Sequence, residues 1–286
     1  MLDAQSGNTS SGATADVGVS DVVSGAALDA TDAAARMNTA DRGWEHMQGC
    51  ATDIAAGGGN VYALACHDGG TSGAVIKLGT DGSWMPDSAG GTGVQIAIDQ
   101  VSGRPWVIKD DGNVYESDGL GYVGHPGTCA KSLAVASGDV WAIACGPDDQ
   151  AVKRLFNTVW VTVPGHASQI SMGRLIDGAG ITPWALQSSG SRDIYSSTGN
   201  GNWMAEGANG IWITDSFVAA IPGGIEGIWE WDYNAHTWGF APNIRAAPGQ
   251  GQALPVAPIK QIAHSVTDNP KELYAVDVEG NIYRSL

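Results

Sequence analysis

The sequence predicts an all-β chain in which one four-stranded antiparallel unit is repeated six times, and three observations predict it. Two stretches, CATDIAAGGGNVYALAC from Cys50 and CAKSLAVASGDVWAIAC from Cys129, are near copies of one hairpin. An aromatic residue, in turn Trp44, Trp84, Tyr122, Trp160, Trp203 and Trp238, recurs about every forty residues. Forty-one glycines and eleven tryptophans with only 15% charged residues suit short strands joined by tight turns, where Gly takes up positive φ cheaply.

Taken in order, residues 1 to about 17 are Gly, Ser, Thr, Ala and Asp, too poor in apolar surface to fold alone. Ser20 to Met37 permits a helix, with Val22, Val23, Ala26, Ala30, Ala34 and Met37 on one side. Residues 1–43 therefore read as an N-terminal arm, extended or partly helical, ahead of a repeat domain at 44–286.

Within the repeats, first strands carry DIA (Asp53), QIA (Gln95), SLA (Ser132), QIS (Gln169), WIT (Trp212) and QIA (Gln261). Second strands read VYAL, PWVI, VWAI, PWAL, VAAI and LYAV, from Val61, Pro105, Val140, Pro183, Val218 and Leu273. Their period-2 alternation puts aromatic and aliphatic on one face of a sheet. Third strands run AVIKL, NVYES, AVKRL, DIYSS, GIWEW and NIYRS, and an aromatic opens each fourth strand after units one to five. NIYRS ends the chain at Leu286 with no aromatic after it, whereas Trp44 has no third strand before it. Trp44 is thus the expected fourth strand of the last unit, and the architecture expected is a six-bladed β-propeller closed by its termini. In the fifth unit the second-strand aromatic is replaced by Ala219 and the bulk moves across the hairpin to Trp212, as a packed space requires. The last unit is lengthened by Asn243 to Pro258, a Pro- and Gly-rich surface excursion.

In both near-copies the cysteines stand sixteen positions apart, equidistant from Gly58 or Ser137. Folding about those centres brings Cys50 opposite Cys66 and Cys129 opposite Cys145, within bridging reach. Such pairs imply an oxidising compartment; the competing reading is four buried thiols. The net charge of −16 argues against nucleic acid and against anionic membranes. No stretch is long enough to span a membrane, and MLDAQSGNTSSG has neither the charged nor the apolar region of a secretory signal.

With the units aligned, the pattern of Trp160, Pro164, Gly165 and Ile170, and of Val140, Trp141, Ala142 and Ile143, resembles the tectonin repeat. The resemblance covers Trp44 to Leu286. It implies a six-bladed propeller that binds glycans, as in tachylectin-1-like and fish egg lectins and fungal and slime-mould tectonins. The matching residues are mostly those that build blades, so no sugar-binding set transfers position by position.

The openers Trp44, Trp84, Tyr122, Trp160, Trp203 and Trp238 are the candidate glycan-binding residues, because an aromatic ring offers broad apolar area at small entropic cost. The alternative is packing between units, and the second-strand aromatics Tyr62, Trp106, Trp141, Trp184 and Tyr274 read as core. Asp81 with Gly82, and Asp110 to Asn113, could attract calcium, but without a full calcium-loop pattern they read as turns, and no cofactor is expected. His46, His67, His125, His166, His236 and His264 have no metal-ligand spacing, and no nucleophile or phosphate motif occurs, so no enzyme is expected. The expected function is a carbohydrate-binding lectin acting on cell-surface or glycoprotein glycans at an extracellular location. The alternative is an interaction propeller in an extracellular assembly, docked to neighbouring subunits through residues 1–43.

Overall fold

The computed structural model describes residues 44–67, 69–146, 150–174, 180–188, 193–198, 202–209, 229–232, 237–240, 259–264 and 273–285, and among these the strands expected from the repeat follow in the expected order, while the first two expected in the fifth unit, at Trp212 and Val218, lie outside the described residues. The chain divides into Met1–Ala40 and Asp41–Leu286, and every described strand belongs to the second unit. The expected arm with its helix, the Trp212 and Ala219 exchange, and the excursion at 243–258 lie outside the described residues.

Strand β1 (Trp44–Met47) precedes the first repeat, which is β2 (Ala51–Gly57), β3 (Asn60–Ala65), β4 (Gly73–Leu78) and β5 (Trp84–Pro86), with a short β6 (Thr92–Gly93) also on β4. The second is β7 (Gln95–Ile98), β8 (Pro105–Ile108), β9 (Val114–Ser117) and β10 (Tyr122–His125). The third and fourth share one seven-stranded sheet of β11 (Ala130–Ala136), β12 (Asp139–Ala144), β13 (Ala151–Phe156), β14 (Val159–Arg174), β15 (Ile181–Gln187), β16 (Asp193–Ser197) and β17 (Trp203–Asn209). This departs from two separate units. β14 is outer strand to β13 up to His166 and inner strand to β15 from Ala167, because Pro164 and Gly165, the latter with φ at +128°, interrupt the register without ending the pairing. Of the fifth repeat, β18 (Trp229–Asp232) and β19 (Thr237–Phe240) are described and pair with each other.

The sixth repeat, β20 (Ile259–His264), β21 (Leu273–Asp277) and β22 (Ile282–Ser285), takes β1 as its fourth strand. Trp44 stands opposite Ser285 and Met47 opposite Ile282, and Glu45 accepts from Arg284 at 2.6 Å. The N-terminal strand thus completes the C-terminal sheet, as the missing aromatic after NIYRS predicts. The described fold is all-β with every strand pair antiparallel, and no α-helix occurs among the described residues.

Both predicted disulfides are present, Cys50–Cys66 and Cys129–Cys145, with Cα atoms 5.3 and 5.1 Å apart. The geometry that aligns them differs from the symmetric one expected. Each hairpin turns on two residues of positive φ, Gly58–Gly59 and Ser137–Gly138, half a residue beyond the predicted centre. Uninterrupted, that register would slip the cysteines past each other. One extra residue, Thr52 in the first copy and Lys131 in the second, bulges from the first strand and restores the alignment. The same bulge recurs at Ser168 and Lys260, in repeats without cysteines, so it belongs to the repeat and the bridges exploit it.

Four apolar clusters fill the spaces between successive repeats. Each joins the second-strand aromatic of one repeat to the opener of the next: Tyr274 with Trp84, Tyr62 with Tyr122, Trp106 with Trp160, and Trp141 with Trp203.

Candidate binding clefts between the sheets

Trp84, Tyr122, Trp160 and Trp203 are half-buried, each at the outer end of one of these clusters. Each ring lies against a glycine of the preceding repeat: Gly49, Gly91, Gly127 and Gly165, all of positive φ. A Cβ on Gly91 would stand 2.5 Å from the Tyr122 ring and one on Gly165 3.1 Å from Trp203 Nε1, so the ring requires glycine beneath it. Trp160 Nε1–H donates to the His125 carbonyl at 3.0 Å and Trp203 Nε1–H to that of Pro164 at 2.7 Å. Tyr122 reaches Asp87 at 3.4 Å. These openers therefore fasten one repeat to the one before and keep an edge toward solvent. Trp44 and Trp238 lie on β1 and β19, opposite Ser285 and Trp231, and their side chains are outside the described residues.

Strand register lays a second feature along each sheet, one that runs across strands and has no sequence signature of its own. Opposite the second-strand aromatic stands a third-strand polar residue, and opposite that a fourth-strand residue. The rows are Tyr62–Lys77–Met85, Trp106–Glu116–Val123, Trp141–Arg154–Val161, Trp184–Ser196–Met204 and Tyr274–Arg284–Glu45. The aromatic is buried, while Met85, Val123, Val161 and Met204 are exposed although apolar. Lys77 lies 5.3 Å from the Tyr62 ring centroid and Arg154 5.1 Å from that of Trp141. His125 stacks on Trp106 at 4.9 Å and faces Glu116 at 3.5 Å. The Nε1–H groups of Trp106 and Trp141, each residue 4% exposed, have no protein acceptor. Each row thus runs from a buried aromatic through a polar residue, half-buried in every row but that of the buried Ser196, to an exposed outer residue.

In three of the first strands the polar residue that precedes Ile or Leu bonds the neighbouring repeat. Asp53 accepts from the backbone N–H of Ile96 at 2.8 Å and of Ile54 at 2.9 Å. Ser132 accepts from Ile170 N–H at 3.1 Å, and Gln261 donates to the Ile54 carbonyl at 3.0 Å. Burial pushes the Asp53 carboxyl up to about 7 against the pull of its N–H donors. The repeated position in DIA, SLA and QIA was the available signal for this inter-repeat bonding.

The acidic turn residues are bonded, Asp81 and Asp111 within their own turns and Asp110 from the preceding repeat. Asp81 accepts from Ser83, Asp111 from Asn113 and Tyr115, and Asp110 from Thr71 and Ser72. Hydroxyl bonds from Thr71 and Ser72 hold Asp110 below the ordinary carboxylate range. No group of three or more His, Cys, Asp and Glu is placed to hold a metal among the described residues.

No family model matches the chain, and no curated protein does. Among solved structures it is similar to a structural-genomics protein of unknown function from Bacteroides thetaiotaomicron, with a TM-score of 0.53 and 12% identity, over 86% of this chain and 70% of that one. At that identity the likeness bears on fold alone.

Proposed function

We propose that the chain is a six-bladed β-propeller of tectonin type that binds carbohydrate in the clefts between its blades, without catalysis, at an extracellular surface. The observation that carries this reading is the recurrence of one row, buried aromatic, polar or charged residue and exposed outer residue, in the five repeats whose second, third and fourth strands are all described. Aromatic faces with nearby hydrogen-bonding groups suit the two-sided chemistry of a sugar ring. Several similar shallow sites would bind surface glycans through multivalency. The two disulfides support an oxidising location. A glycan-array screen of the full chain tests the reading: binding to a defined glycan class, abolished by Val123→Asp and Val161→Asp at exposed lips, supports it, and a blank array from folded protein contradicts it.

One observation favours the interaction-subunit reading. The turns before the fourth strands of the second and third repeats expose Leu120 at 92%, and Phe156 and Val159 beside each other at 59% and 62%. A partner docked through residues 1–43 would be lost from a variant that starts at Thr39, which size-exclusion chromatography with the partner would reveal.

A further inference from the structure

The rows differ in charge, and the difference bears on which carbohydrates they can hold. Every guanidinium beside a described row is already met by a carboxylate. Arg154 Nε lies 2.8 Å from Asp139, Arg284 2.6 Å from Glu45, and Arg104 3.6 Å from Glu116. Lys77 is spent on the Tyr62 ring face. The carboxylates keep capacity, since each presents about four lone-pair sites and these contacts leave some open to sugar hydroxyls. A sialic acid, uronic acid or sulfate would have to displace Asp139, Glu45 or Glu116 from its arginine or sit beside it as a like charge. The chain's net charge of −16 adds a repulsive field.

We infer that these clefts select neutral, hydroxyl-rich glycans and discriminate against acidic ones, an inference that rests on the carbohydrate reading above. The test measures the full chain against matched glycans that share one neutral core and differ only in a terminal sialic acid or a sulfate. Neutral forms bind about tenfold tighter, and the ratio shrinks as salt screens the repulsion. A triple variant, Glu45→Gln, Glu116→Gln and Asp139→Asn, frees the three guanidinium groups and narrows or inverts the ratio. Because exposed ion pairs contribute about 0–1 kcal/mol each, the variant is expected to remain folded, which circular dichroism checks. Equal or tighter binding of acidic glycans by the unmodified chain overturns the inference while the carbohydrate reading stands. A ratio unmoved by salt and by the triple variant also overturns it. No binding to either class overturns both.

Discussion

Asp53 places a carboxyl in the tightest part of the fold, between the first strands of two repeats, where Asn would supply one of the same acceptors without charge. Its folded value of about 7 lies above the ordinary value of 3.8, so the folded chain holds this proton more tightly than the unfolded one. The contribution to stability is fully present below the unfolded value and is lost as pH rises through about 7. The shift corresponds to about 4 kcal/mol as an upper figure. Asp99 runs the other way. Burial raises it, but N–H bonds from Val101, Ser102, Gly138 and Ser137 together leave it lowered, so its contribution is present at neutral pH and lost in acid. Denaturant titrations from pH 4 to 8 should show Asp53→Asn gaining stability over the unmodified chain as pH rises; parallel curves would contradict this assignment. DIA taken alone does not distinguish this aspartate from the solvent-facing ones in turns, because its N–H donor Ile96 lies forty-three residues away, and only its place beside SLA and QIA in the repeat marks it.

Among the elements, the bulged hairpins and the glycine-backed aromatics carry the distinctive chemistry. Gly280, at φ +91°, lies on the first disulfide, where a Cβ would stand 2.6 Å from Cys50 Sγ, and its carbonyl accepts from Ala51 N–H at 2.9 Å. Gly112 covers Cys129 in the same way. Gly280→Ala should therefore destabilise by about 2–3 kcal/mol, strain and clash together, whereas Gly138→Ala, with φ +75° and open space, should cost about 1 kcal/mol. Equal losses in thermal unfolding would mean the contact on the disulfide has no weight. Trp203→Phe deletes the bond to the Pro164 carbonyl and should cost about 1 kcal/mol. The strands themselves were legible because alternation and turn residues are local. The bulges were not, since hydroxyl residues at Thr52 and Ser168 and lysines at Lys131 and Lys260 are ordinary strand residues and the signal is a register difference visible only across two strands. The cysteine pairing came out right because a half-residue error in the turn centre is cancelled by the bulge.

For the molecule as a whole, β1 and β22 join the two ends of the repeat domain without a covalent link. The Cys50–Cys66 bridge lies beside this junction, against the Gly280 turn of the last sheet, while Cys129–Cys145 lies between repeats that the chain already connects. Each bridge closes a loop of comparable length, worth about 3 kcal/mol through the unfolded state. Replacing either pair by serine should lower stability similarly, yet only Cys50→Ser with Cys66→Ser should speed amide exchange in β1 and β22. Equal exchange at those strands in both variants would sink this role for the first bridge. The pairing of β1 with β22 was legible from a single missing aromatic, whereas the candidate site was only half legible: each opener marks one side, and the other is a row assembled from three strands. The measurement that bears most directly on the account is a crystal structure of the full chain with the tightest glycan found on the array. A neutral sugar is expected to lie between a row such as Trp141–Arg154–Val161 and the next opener, Trp203, with a hydroxyl on Asp139 or Arg154. A sugar bound on another surface, with these clefts empty, would contradict it.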